Sequence, residues 1–266
     1  MLEFMRGGAP STWSVFLSVF LFLAPAMMHI IPPEETLLFE GEDETQTVGA
    51  RSQITWSGTQ TLSSTYTVGI ADELIIQACT SVEMSGGTRI IVDGRLTVLG
   101  TKACPVTFTA SGTSDHEGIQ FNSSSFGRGS LIQNLTIEDA IYGVTIYGSN
   151  PVIENLTVVN PDRVGVDIFS NASPRINDLY IDQAGRNLPF QGDWRYGIGL
   201  SIGAGSTPII QRSVFTDILT RAVNIWGGSG GLIQGITVDN VTGSTWAIAA
   251  GIWVEDSQPL LTDITV

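Results

Sequence analysis

The sequence predicts an all-β chain, a parallel solenoid of about eight stacked coils after an N-terminal signal or anchor segment. Two observations predict it: a unit that recurs six times in the C-terminal half, and a composition unsuited to long helices. From Gly118 onward the unit reads Gly, apolar, any residue, apolar, then a polar turn and a second alternating strand. The first strands are GIQF at Gly118, GVTI at Gly143, GVDI at Gly165, GIGL at Gly197, AVNI at Ala222 and GIWV at Gly251. The second strands begin at Leu131, Val152, Arg175, Ile209, Leu232 and Leu260.

These spacings of 25, 22, 32, 25 and 29 residues give units too small to bury an apolar face alone, so the copies must stack. Two apolar residues two apart in each first strand lie on one side of the pleat. The inward set is Ile119, Phe121, Val144, Ile146, Val166, Ile168, Ile198, Leu200, Val223, Ile225, Ile252 and Val254. The leading Gly and the third residue are then expected to face outward, with the Gly supplying a bend of positive φ. Leucine-rich repeats share such periods but need a helical segment and a Leu-x-x-Leu-x-Leu frame, and propeller blades need about forty residues.

Composition agrees. Charged residues make up 14% of the chain, about half the usual share. Thirty glycines suit many short strands and turns. The formal net charge of −14 repels phosphate backbones, so no nucleic-acid partner is expected.

The N-terminus reads as targeting. Arg6, an apolar run from Val15 to Ala24, and Ala24-Pro25-Ala26 describe a signal peptide spanning residues 1–26. The alternative is an uncleaved anchor to about residue 31, the only route to a membrane. Either way the chain is expected outside the cell or at its surface. Residues 27–47 are an acidic linker, 48–117 form capping and opening coils, and 118–266 form the repeat coils. The second strand LLTDITV ends the chain without a cap, which predicts truncation from something longer.

The run from Thr88 to Thr109 (TRIIVDGRLTVLGTKACPVTFT) resembles the opening of the right-handed parallel β-helix repeat family, and residues 54–77 resemble its capping coil. The resemblance covers residues 54–266 and implies a right-handed parallel β-helix. It implies no single activity, because the family includes carbohydrate-binding surface proteins, polysaccharide lyases, glycoside hydrolases and periplasmic accessory proteins.

Cys79 and Cys104, the only cysteines, fall at the same corner of adjacent coils when their flanking strands are aligned. Stacked neighbours sit about 4.8 Å apart, within disulfide range. An even count in an exported chain supports a bridge. Five N-x-Ser/Thr sequons occur. Asn134 and Asn155 share a position with Asp178 and Asp263, which suits a bend better than a glycan. Asn122, Asn171 and Asn240 are the glycosylation candidates. His29 lies in the targeting segment, and His116 reads as a loop histidine without ligand partners. No metal or cofactor is expected, although carboxylates leave calcium open.

The outward positions carry the functional signal. One column runs Gln120, Thr145, Asp167, Gly199, Asn224, Trp253; the next runs Asn122, Tyr147, Phe169, Ser201, Trp226, Glu255. Tyr147, Phe169, Trp226 and Trp253 beside Asp167, Asn224 and Glu255 are the carbohydrate-binding candidates, because rings stack on sugars and polar groups take hydroxyls. Trp226 with Trp253, and Tyr147 with Phe169, would each form a platform, with the Ser201 rung as a gap. The competing expectation is that loops, including Gly185 to Tyr196, bury these rings.

Hydrolysis of glycosides needs two carboxyls about 5 to 9.5 Å apart. Asp167 and Glu255 lie three coils apart, about 14 Å. Asp193 on the insertion could approach Asp167, and Arg195 and Arg221 flank the face without an acidic cluster. Binding or display toward a polysaccharide is therefore expected, with lyase or hydrolase activity as one alternative and a structural spacer as the other. Catalytic residues and oligomeric state are not legible.

Overall fold

The computed structural model describes residues 52–185, 195–243 and 248–266. The targeting segment, the acidic linker, His29 and Asp193 lie outside the described residues. Every ladder between the described strands is parallel, and the strands form two sheets. The first sheet has eight strands, one per coil: Tyr66–Val68, Ile90–Val92, Ile119–Phe121, Tyr142–Tyr147, Val164–Phe169, Ile198–Ile202, Arg221–Ile225 and Ala250–Val254. The expectation of about eight coils matches that count.

The second sheet has twelve strands. In the early coils it takes two short strands per coil, such as Arg95–Leu99 and Val106–Ala110. From Leu131–Glu138 onward the two merge into one bent strand, whose halves pair separately with those two predecessors. The bend falls on one residue per coil with left-handed backbone: Asn134, Asn155, Asp178, Arg212, Gly235 and Asp263, with φ between 48° and 69°. Asn, Asp and Gly tolerate that region at least cost. Arg212 is the exception, and its guanidinium grips Asp178 of the previous coil at 2.8 and 2.9 Å.

Cys79 and Cys104 occupy the corresponding corner of the two preceding coils. They are bridged, with Cα atoms 4.8 Å apart. The inner faces meet in a dry core in which Phe108, Phe121, Phe215 and the Ile, Leu and Val ladders are fully buried. Ten of the twelve expected inward residues of the first sheet are among these buried residues. Ile252 is only partly buried and Val254 is 43% exposed, since no described coil stacks over that rung.

Two expectations need correction. The copy placed at Gly197 is displaced by two residues: Val166 pairs with Leu200, Asp167 with Ser201, and Ser201 with Asn224. The repeat there reads GLSI from Gly199, so Ser201 belongs to the first outward column and Gly203 to the second. A shift of two preserves inside and outside, which is why Ile198 and Leu200 remain buried.

The leading glycines also do not face open solvent. A Cβ at Gly143, Gly165 or Gly199 would stand 2.7, 2.6 and 2.6 Å from Val158, Ile181 and Phe215 of the second sheet. Gly118 and Gly197 have the expected positive φ, whereas Gly143, Gly165, Gly199 and Gly251 do not, so at Gly143, Gly165 and Gly199 the requirement is room rather than backbone freedom.

His116 does lie between strands, with an isolated bridge to Ala140, but it is not a surface loop residue. It is fully buried, its Nδ1 accepting from the Gly118 N–H at 3.0 Å and its Nε2 lying 3.0 Å from the Glu138 carbonyl. That pair of partners fixes a neutral ring with the proton on Nε2, and burial lowers its pKa. It staples two coils.

Candidate functional site

The outer face of the first sheet collects the predicted polar and aromatic residues on adjacent rungs. In register, the first column runs Gln120, Thr145, Asp167, Ser201, Asn224, Trp253. Alternation in the strand points these side chains away from the core, yet Asp167 and Asn224 are 2% and 1% exposed. Neighbours on the same face cover them.

Asp167 pairs with Arg195 and is also hydrogen-bonded by Ser201 of the next rung. Burial raises its pKa, and Arg195 and Ser201 pull it back down. The expected insertion from Gly185 to Tyr196 thus supplies one described cover, Arg195, whose guanidinium also stands 5.9 Å from the Tyr142 ring centre. Residues 186–194 of that insertion lie outside the described residues.

Two coils further on, the Asn224 Oδ1 accepts from Arg221 at 2.8 Å. Its Nδ2 is buried with no hydrogen-bond partner among the described residues. An orphaned amide donor costs roughly 1–3 kcal/mol unless something fills it. Arg221, Asn224, Trp226 and Glu255 line a depression of about 230 Å³ around it. Arg221 stands 4.7 Å above the Trp253 ring centre, and burial lowers its pKa against the opposing pull of Glu255. The Trp253 indole N–H lies 3.5 Å from Glu255.

The aromatic platforms differ from expectation. Tyr147 is 44% exposed and meets Phe169 edge to face, with centroids 5.1 Å apart and planes at 79°. They form a ridge, not a shared plane. Trp226 is half-buried and occupies the space over Gly203, whereas the Trp253 ring carries Arg221. Only the Trp226 indole therefore walls the depression, and the two indoles do not form one bare surface. The rings are neither fully exposed nor buried.

A second depression, of about 290 Å³, lies at the N-terminal edge of the same strands, lined by Glu117, Ile141, Tyr142, Asp162, Arg163 and Tyr196. Its residues lie outside the two outward columns of the strands. The usable signal was an Asp just ahead of successive first strands, at Asp115, Asp139 and Asp162. Asp162 is 5% exposed, and its pKa is raised to about 7 by burial and by hydrogen bonding to Asp115. Arg163 donates to the hydroxyls of Tyr142 and Tyr196 at 3.2 and 3.0 Å.

Of the sequon candidates, Asn122 is engaged at both ends, accepting from Gln120 and donating to Asp93. Asn171 and Asn240 are exposed with left-handed backbone, and Asn240 donates to Asp217.

A stack of parallel coils with a mixed aromatic and polar face defines a β-solenoid with a lateral cleft. The family model described as a right handed beta helix region matches residues 117–265, and the chain belongs to that family. No curated protein matches the chain.

Proposed function

We propose that the chain is an exported binding solenoid whose first-sheet face takes a polysaccharide. The observation that carries this reading is the unfilled Asn224 Nδ2 beneath a depression walled by Trp226 and Glu255. A sugar presents what those groups want: an apolar ring face for the indole, a hydroxyl oxygen for the amide, and a hydroxyl proton for the carboxylate. The Cys79–Cys104 bridge is compatible with an oxidising compartment, and export is part of the reading.

Hydrolase chemistry is less well supported. The register Asp167–Ser201–Asn224–Trp253 separates Asp167 from the rung of Glu255 by three steps, about 14 Å, too far for an acid and base pair. A glycan array followed by calorimetry on Trp226→Ala and Tyr147→Ala tests the reading. Weaker binding of a long oligosaccharide by both variants is expected. No binding to any glycan, or indifference to both changes, would leave a structural spacer as the better account.

A further inference from the structure

Asp162, Asp115 and Asp139 come from three successive coils and meet beside the buried His116. Burial, and after it the neighbouring Asp115, raise the Asp162 pKa to about 7. Asp162 Oδ1 is buried without a hydrogen-bond partner among the described residues, and the whole residue is only 5% exposed. The same side chain lines the 290 Å³ depression. Beside it, the Tyr142 and Tyr196 hydroxyls accept from Arg163, so each keeps its own O–H to donate. Glu117, the other carboxylate in the lining, is paired with Arg89.

We propose that this depression is a second subsite for the same ligand, in which the Asp162 carboxyl accepts a hydroxyl of a sugar unit distant from the one over Trp226. The proposal rests on the reading of the first-sheet face as a polysaccharide site. A neutral acceptor next to O–H donors suits an uncharged polyol, and the nearby Asp115 and Asp139, against the single opposing charge of Arg163, disfavour an anion. From the Arg163 rung to the Asn224 rung is two register steps, about 10 Å. Only a ligand longer than a disaccharide can fill both depressions.

The subsite is also pH-dependent. With Asp162 ionised, the charges of Asp115 and Asp139 oppose it and only Arg163 favours it. His116, neutral and buried, contributes no compensating charge. Long ligands should therefore lose affinity as pH rises through about 7, while short ligands confined to the Trp226 depression should not.

The test uses the full chain and uncharged cello-, manno-, galacto- and chito-oligosaccharides, each as dimer and hexamer, titrated calorimetrically across neutral pH. The expected result is a hexamer that binds several-fold more weakly at alkaline than at acidic pH, with a flat profile for the dimer. Asp162→Asn keeps the Oδ1 acceptor without the titration, so it should bind the hexamer and flatten its profile. A hexamer whose binding needs Trp226 but whose pH profile matches the dimer's would overturn the second subsite and leave the first standing. Absence of binding by every oligosaccharide would overturn both.

Discussion

Trp226 rests over Gly203 of the preceding rung: a Cβ on Gly203 would stand 2.3 Å from the indole ring. The glycine therefore sets the pose of the one indole that walls the Asn224 depression. Gly203→Ala should push the ring outward. A shift in tryptophan fluorescence and loss of most oligosaccharide affinity are expected, with a stability loss of about 1–3 kcal/mol for the crowding. Unchanged affinity would show that the indole pose does not matter to the ligand.

The Asp162 pair makes stability depend on pH with a definite sign. A carboxyl whose folded pKa is raised from its ordinary value of 3.8 to about 7 favours the fold fully below the lower value, and that contribution is lost as pH rises to the upper one. The melting temperature should fall between roughly pH 4 and pH 7 through this group. Asp162→Asn should be more stable than the parent at pH 8 and close to it at pH 4. An Asn variant that follows the parent at every pH would contradict the raised Asp162 pKa.

The glycine column beneath the first sheet is a packing requirement. Gly165→Ala would place a methyl 2.6 Å from Ile181 and 2.8 Å from the Gly199 carbonyl. A loss of about 1–3 kcal/mol is expected in urea unfolding. Ala222 occupies the same column with a methyl already accommodated, so Ala222→Gly should cost only about 0.5–1 kcal/mol.

Reduction of Cys79–Cys104 frees a loop of 25 residues. In the chain-entropy model that is worth about 3 kcal/mol. Mass spectrometry without reductant should find no alkylatable thiol, and a Cys79→Ser/Cys104→Ser variant should lose about that much stability. Two reactive thiols in the folded protein would refute the bridge.

Most of the fold was legible because the side-chain period of two is written directly into each unit, as in Val144 and Ile146 or Val223 and Ile225. The slip at Gly197 arose because GIGL and GLSI overlap and both satisfy the unit. Only the rung partner, Leu200 against Val166, distinguishes them. The site was legible as a list of outward residues but not as a shape. Nothing local in the sequence places Arg221 over Trp253 or Trp226 over Gly203. Asp115 and Asp162 lie two coils apart, and an Asp ahead of three successive strands does not by itself mark them as neighbours.

The most direct test of the central claim is a crystal structure of the chain soaked with the tightest-binding oligosaccharide from the array. The account expects a sugar ring against Trp226, Arg221 swung aside, and a ligand oxygen within hydrogen-bond distance of Asn224 Nδ2. A ligand bound elsewhere at full occupancy, with Asn224 Nδ2 still unpartnered, would contradict it.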